Sequence, residues 1–461
     1  MTDIQIMGVL ETRMMNFDKL LILNVEEGVV PQHQTDNSFI PYYLRKAYSM
    51  QTPDEKATIY AYNFFRLLSR TDSSTLLYTT TDGAENSKGM SRFIMQMLVS
   101  SEFSVTKQQL QEPSILPEID DNRLGTSGTS LLSLFEKGKD GIMRRKGHKE
   151  PYSLSPSALN TYIQCPRMFC LQYIQGYRGE EKEEAQFTSA ELGTFVHASM
   201  EYLYTHYIIG ENALPVRISP DQIEAISDRE HLDEALQEAY VAVNRKWAEK
   251  HDNEPDHYVA SQHLSENEMI IRFVLNILER DKEDAAVGLQ IELLEKPKYF
   301  DVEVPEVGTI RTGGIIDRLD IYGAAGQEVI RVVDYKSGKY SPDRLSAGMD
   351  KLMMSPDKNY VRQTLMYSHA VKANADEDDK RPIEPNLFFC SHKLAGLPTT
   401  VTVDKAKVED YRTIQDAFLP ALQEKMHEIL TVTEFPPCDN SKCKSYCPFL
   451  GLCRRTVKNI D

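Results

Sequence analysis

The chain has 461 residues, 41% hydrophobic and 26% charged, enough for roughly two to four domains with cores of their own. Its net charge of −17 argues against a protein that coats nucleic acid through a uniformly basic surface, although a local groove can still be basic. No apolar run reaches the ~18 residues of a membrane span, and MTDIQIMGVLETR lacks the basic and apolar stretches of a secretion signal; a cytoplasmic protein with no membrane partner is expected.

Residues 1–112 read as an α/β unit. IQIMGVL and KLLILNV have strand character, KATIYAYNFFRLLSR has the period of an amphipathic helix, and STLLYTTT returns to strand. SRFIMQMLV follows as a helix with Ser91 at its N-cap. The phosphate-cradling pattern G-x-x-x-x-G-K-[ST] does not occur, so no ATPase is expected from this chain alone. Residues 113–151 are rich in Pro, Gly, Ser and charge and read as a linker, with one basic cluster at Arg144, Arg145, Lys146 and Lys149.

Helix follows from 152 to 210. Ser155-Pro156 supplies an N-cap and first-turn proline, Pro166 breaks the helix, GEEKEEAQ is an acidic loop, and ELGTFVHASMEYLYTHY carries His197. Residues 219–283 read as two long helices of mixed charge. GLQIELLE, YFDVEVP, GTIRTGGIIDRLDIY and EVIRVVDYKSG are strands, and YVRQTLMYSHAVK is a helix. NLFFCSH and TTVTVD are further strands, and a last long helix, AKVEDYRTIQDAFLPALQEKMHEIL, precedes the cysteine-rich tail.

The stretch Gly313–Gly338 draws the chemistry together. Two Ile/Val-rich runs flank a turn containing Gly323 and Gly326, the pattern of a hairpin with a longer loop. Asp334 and Lys336 are two apart on one strand and share a face; Asp317 lies on the neighbouring strand. Converging carboxylates suit a hard cation such as Mg²⁺, held about 2.1 Å away with several waters. A lysine beside it can orient water or offset phosphate charge. The plain alternative for the D-x-K spacing is a solvated salt bridge. Gln363 and Tyr367, at i and i+4, share a helix face and can reach one ligand.

Four of the seven cysteines, Cys438, Cys443, Cys447 and Cys453, crowd the last 24 residues. In a cytosolic chain this favours metal or iron–sulfur ligation over disulfides. Cys170 and Cys390 read as buried apolar residues.

In this order, LGTFVH, GGIIDR, VVDYKSG and Q-x-x-x-Y resemble the PD-(D/E)XK nuclease superfamily, in particular its RecB/AddB-type branch. The resemblance implies a restriction-endonuclease-like core with a mixed sheet over 152–461. It also implies Mg²⁺- or Mn²⁺-dependent hydrolysis of DNA phosphodiesters in recombination or double-strand-break repair. Asp317, Asp334, His197 and the Tyr335 carbonyl would hold the metal. Lys336 would be the catalytic lysine, and Gln363 and Tyr367 would position the lysine or the DNA. Cys165, in a Y-x-x-C-P context, with Cys443, Cys447 and Cys453 resembles the iron–sulfur staple of AddB-like nucleases, with Zn²⁺ as the alternative ion. The tail departs from the family spacing by one residue between Cys443 and Cys447, and Cys438 competes for one ligand position.

Residues 1–112 resemble the C-terminal part of a degenerate superfamily 1 helicase (RecA-like) domain, whose arginine-finger helix would correspond to the one bearing Arg66 and Arg70. The family proteins are longer, so the chain is expected to be a piece of a helicase-nuclease that acts on single strands or unwound duplex ends with a partner subunit. A second reading is a catalytically silent, nuclease-like DNA-binding scaffold. A missing ligand or lysine would mark it, and none is missing.

Overall fold

The structure is a computed structural model that describes residues 5–9, 11–12, 15–31, 45–46, 48, 50, 53–79, 89–100, 104–108, 130–177, 187–210, 213–250, 258–376, 378–439, 443 and 447–453. The acidic run 179–186 and linker residues 113–129 lie outside this set. The chain divides into two units, Met1–Leu116 and Pro117–Asp461.

In the first unit β1 (Lys19–Ile22) and β2 (Ser73–Leu76) pair in parallel, joined through α1 (Pro53–Ser69). Parallel neighbours need such a crossover. Helix α2 (Arg92–Val99) is capped by Ser91, whose side chain accepts from the Phe93 amide at 3.2 Å. Phe64, Leu67 and Leu68 of α1 pack with Phe93, Ile94 and Met97. The described part of IQIMGVL is not a strand: Gly8 donates to the Glu11 carboxylate at 2.9 Å, closing a local turn that competes with extended backbone. Tyr62, Phe65, Arg66, Arg70, Gln96 and Met97 line an open groove of about 600 Å³.

The second unit is a six-stranded mixed sheet between two helical layers. Its main path runs β10 (Ile383–Phe389), β9 (Val329–Lys336), β8 (Gly308–Tyr322), β7 (Leu289–Val304), β6 (Val216–Ile218). β10 is parallel to β9, the other neighbours on this path are antiparallel, and β5 (Ser153–Leu154) joins β8 in parallel. Along β9, Ile330 and Val332 enter the core made with α3 (Pro156–Gln164), α10 (Asn359–Ala373) and α11 (Gln415–Thr431). Val333 and Tyr335 enter the other, made with α5 (Ser189–Leu203), α7 (Arg229–Lys250) and α8 (Leu264–Val287). Burial on both faces is why this strand reads as a nearly continuous apolar run. The remaining helices are short: α4 (Pro166–Phe169), α6 (Pro220–Ala225) and α9 (Met349–Leu352).

Three further expectations are corrected in this unit. GLQIELLE and YFDVEVP form one strand, β7, with an irregularity between Ile291 and Leu293. Residues 219–283 hold a short helix before the two long ones, started by a capping box between Ser219 and Gln222. Residues 130–151 are not linker: β3 (Phe135–Lys137) and β4 (Met143–Arg145) form a hairpin that buries Phe135 and Met143, and Ile142 bridges to Thr309 of β8. No described helix is long and apolar enough to cross a membrane.

Candidate active site

The strand register builds a row of carboxylates. Pairs Leu294–Arg318 and Lys296–Ile316 flank Glu295 and Asp317, which therefore stand opposite each other on β7 and β8. The β8–β9 ladder ends at Arg318–Val333, and Asp317 and Asp334 are the next opposed residues. The ladder lapses along this row. Asp317 uses the gap: its Oδ2 accepts the Tyr335 amide at 2.7 Å. Glu295 takes a left-handed backbone conformation, φ 44°, which re-aims its side chain.

His197 reaches the row from α5. A capping box between Thr188 and Glu191 fixes the start of that helix, and Gly193 passes Ser337 where an added Cβ would meet Oγ at 3.3 Å. His197 Nδ1 lies 2.9 Å from Glu295 Oε1 and 3.6 Å from Asp317 Oδ1. One ligand atom from each of these three residues falls within 4.8 Å of the others. Burial disfavours the charged imidazole, but Asp317 and Glu295 outweigh it and push His197 up to about 9.

On the α10 side, Lys336 Nζ approaches Asp334 Oδ2 at 2.5 Å, and Gln363 Nε2 donates to Asp334 Oδ1 at 3.2 Å and to the Tyr367 hydroxyl at 3.1 Å. Gly314 leaves room for Tyr367, since a Cβ there would sit 3.3 Å from its hydroxyl. Burial raises Asp334 to about 6 despite Lys336, and Asp317 adds to the rise. Asp317 is raised by burial against the pull of His197 and Lys336. Burial works against the Lys336 ammonium, yet Asp334 and Asp317 hold its pKa above the ordinary value. Buried carboxylates that resist ionisation, facing a charged lysine and imidazole, are short of positive charge. A nitrogen and several oxygens as donors suit Mg²⁺ or Mn²⁺.

Tyr335 presents its amide to the site and its side chain to the opposite layer. There its hydroxyl accepts from Arg318 Nη1 at 3.1 Å, and its ring meets the edge of His197 at 5.6 Å. The structure thus brings His197, Asp317, Asp334, Tyr335, Lys336, Gln363 and Tyr367 to one place. Glu295 is absent from the expected set. Its only sequence signal is a charge interrupting an apolar strand just before Pro297, a residue typical of strand irregularities.

Of the expected cysteines, Cys443, Cys165 and Cys453 lie near enough to Cys447 to act on its thiol, but among the described residues the group close enough to share one ion is His197, Glu295 and Asp317. Burial raises the Cys447 thiol, and the potentials of Cys443, Cys165 and Cys453 add to the rise. Cys165 and Cys443 are buried, and the Cys438 amide donates to Cys165 Sγ at 3.4 Å. Arg167 donates its amide to the Pro436 carbonyl at 3.1 Å, holding the tail against α4. Cys170 and Cys390 are buried away from this group; Cys390 Sγ donates to the Lys336 carbonyl at 3.3 Å.

A strand-borne D-x-K facing a second strand's carboxylate, with a helical histidine and a Gln/Tyr helix face, defines a metal-dependent nuclease fold. Residues 153–454 match the family model of the PD-(D/E)XK nuclease superfamily, and the chain belongs to that superfamily. Among named relatives, one subunit of the ATP-dependent helicase/deoxyribonuclease of Clostridium perfringens (strain SM101 / Type A) is 24% identical over 233 residues, 50% of this chain and 19% of the relative. The protein of the same name from Clostridioides difficile (strain 630) is 24% identical over 285 residues, 59% of this chain and 22% of the relative. The chain spans about a fifth of the length of these relatives.

Proposed function

We propose that this chain is the nuclease part of a helicase-nuclease that hydrolyses DNA phosphodiester bonds during recombination or double-strand-break repair. The observation that carries the reading is the convergence of His197, Glu295, Asp317 and Asp334 beside Lys336, Gln363 and Tyr367 in a nuclease-family fold. His197, Asp317, Asp334, Glu295 and the Tyr335 carbonyl would hold a divalent cation, Mg²⁺ or Mn²⁺. Such an ion supplies an acidic water and offsets the charge that builds on phosphoryl oxygens. Lys336 keeps its proton beside Asp334 and places a fixed positive charge where the phosphate enters. Gln363 fixes one oxygen of Asp334 and the Tyr367 hydroxyl together, so the carboxylate cannot rotate freely.

The relatives' name, which describes one subunit of an ATP-dependent helicase/deoxyribonuclease, supports DNA as substrate and the presence of a partner protein. The parallel β1–α1–β2 unit of residues 1–112 supports a remnant of a helicase-like domain, here without ATPase function. The spacing of Cys165, Cys443, Cys447 and Cys453 in the sequence, with the tail held near Cys165 by the Cys438 amide, supports a [4Fe–4S] cluster (or Zn²⁺) that would staple the tail to the helix before the core.

The test is digestion of end-labelled single- and double-stranded DNA with and without Mg²⁺. The chain should cut only with the ion, and Asp334→Ala and Lys336→Ala should stay folded by circular dichroism but lose cleavage. Full cleavage by either variant sinks the assignment. Tight DNA binding without cutting at any Mg²⁺ or Mn²⁺ concentration would instead support a silent scaffold.

A further inference from the structure

Beyond Lys336 the chain turns out of the sheet as Ser337-Gly338-Lys339-Tyr340 and enters a 3₁₀ turn at Pro342–Arg344. This segment is pinned at several points. Ser337 Oγ donates to the Ser189 carbonyl at 2.5 Å and Ser391 Oγ to the Gly338 carbonyl at 2.8 Å. The Tyr340 ring packs on Phe389 at 5.8 Å, and Lys358 Nζ donates to the Asp343 carbonyl at 3.1 Å. Tyr360, at the start of α10, is where the two ends of the turn meet. Its ring centre lies 5.0 Å from Lys336 Nζ and 6.0 Å from Arg344 Cζ. Two cations share one aromatic ring.

Arg344 is exposed. Its guanidinium donates to the Lys339 carbonyl at 3.0 Å, and no carboxylate pairs with it among the described residues. Arg144, Arg229, Arg311 and Arg381 of this unit sit on carboxylates, while Arg344, like exposed Arg145, Arg217, Arg245 and Arg272, has none among the described residues, and of these it is the one whose guanidinium lies over the ring that Lys336 also faces. Gly338 makes the arrangement sterically feasible, because a Cβ there would fall 2.9 Å from Arg344 Nη1. In a chain of net charge −17, a polyanion needs a locally basic approach. A guanidinium with free N–H groups matches phosphate geometry, and a neighbouring aromatic ring offers a stacking face to an unpaired base.

We propose that Arg344 and Tyr360 form the strand-binding shelf of this site, taking single-stranded nucleic acid, with Arg344 on a phosphate next to the one facing Lys336. The proposal rests on the nuclease reading above. It predicts a contact to the backbone from Arg344 and to a base from Tyr360.

Binding of a fluorescent single-stranded oligonucleotide should be measured by anisotropy across a salt series, in an Asp334→Asn background that holds cleavage off. Each phosphate contact to a single strand contributes about −0.7 to the slope of log affinity against log salt. Arg344→Ala should weaken binding several-fold and make the slope shallower by roughly 0.7, with Arg344→Lys keeping the slope. Tyr360→Leu should weaken binding with the slope unchanged. Thermal melting should leave Arg344→Ala at the parent value, because the side chain is exposed. An unchanged affinity and slope in Arg344→Ala overturns the shelf alone. A parent protein that binds no oligonucleotide overturns the shelf and the nuclease reading together.

Discussion

Glu295 of β7 and His197 of α5, 98 positions apart in sequence, stand 2.9 Å apart from Oε1 to Nδ1. The contact orients the imidazole and adds a carboxylate to the group that would hold the cation. Glu295→Gln keeps the shape and removes the charge. It should weaken Mn²⁺ binding about 10- to 100-fold, the range found when a supporting group of a metal site is lost. Calorimetric titration of Mn²⁺ checks this; unchanged affinity would place Glu295 outside the site.

Asp317 and Asp334 crowd one another in a buried position, and both are raised above the ordinary carboxylate range by burial. At neutral pH the metal-free protein carries this repulsion. Asp317→Asn can still accept the Tyr335 amide and leaves Lys336 its partner Asp334. It should stabilise the metal-free protein, because burial, the largest cause of the raised Asp317 carboxyl, no longer opposes an ionised group there. The same variant should lose the stabilisation that Mn²⁺ gives the wild type. Thermal melts in chelator and in Mn²⁺ test both halves, and a lower melting point for the variant in chelator contradicts the first.

What could be read from sequence was local. The two-residue step from Asp334 to Lys336 implied one face, and the structure puts them 2.5 Å apart. The i, i+4 step from Gln363 to Tyr367 implied contact, realised at 3.1 Å. Ser91 and Ser155 were legible as caps and act as such. What escaped depends on register and on distant partners. Glu295 faces Asp317 only because β7 and β8 pair in one register. Arg318 and Arg331 interrupt strands as if exposed, yet they are buried on Asp281 and Asp284 of the helix before β7, 37 and 47 residues away. The β3–β4 hairpin was illegible because its strands have three residues each and bury little beyond Phe135 and Met143.

The cysteine group makes a prediction separable from catalysis. A cluster on Cys165, Cys443, Cys447 and Cys453 would tie positions 165 and 443, closing a loop of 278 residues. By the loop-entropy relation used for disulfides such a link contributes up to about 5 kcal/mol. Protein purified without oxygen should be brown and contain iron and sulfide, and Cys165→Ser should lose both and melt lower. A colourless protein with one equivalent of zinc would replace the iron–sulfur assignment, and unchanged metal content in Cys165→Ser would defeat the staple altogether.

Behind the site, Arg318 donates to both oxygens of Asp281 at 2.7 and 2.9 Å, and Arg331 joins Asp320 and Asp284 at 2.7 Å each. Tyr204 also donates to Asp281. Asp281→Ala leaves the fully buried Arg318 guanidinium with Asp320, 2.9 Å away, as its remaining carboxylate and should cost up to about 3–5 kcal/mol. Arg318 also holds the Tyr335 hydroxyl, so the variant should weaken Mn²⁺ binding as well. The paired replacement Asp281→Leu with Arg318→Met should recover most of the stability without the Mn²⁺ affinity. Urea unfolding with Mn²⁺ titration separates the two effects; recovery of both would limit the network to a structural role.

His369, on the same helix as Tyr367 but packed between Phe300 and Tyr411, provides a pH prediction. It is buried, its Nδ1 has no hydrogen-bond partner among the described residues, and burial lowers its pKa from 6.5 to about 4, with Lys372 adding to the fall. Between those values the unfolded chain binds the proton and the folded chain does not, so stability rises with pH across the window. The contribution is intact above about pH 6.5 and is lost progressively as pH falls toward 4, reaching on the order of 3 kcal/mol. His369→Phe keeps an aromatic ring in the site and removes the titration. Urea midpoints should therefore fall less steeply in His369→Phe than in the wild type between about pH 7 and pH 4.5. Parallel curves for the two proteins would mean that His369 is protonated in the folded state.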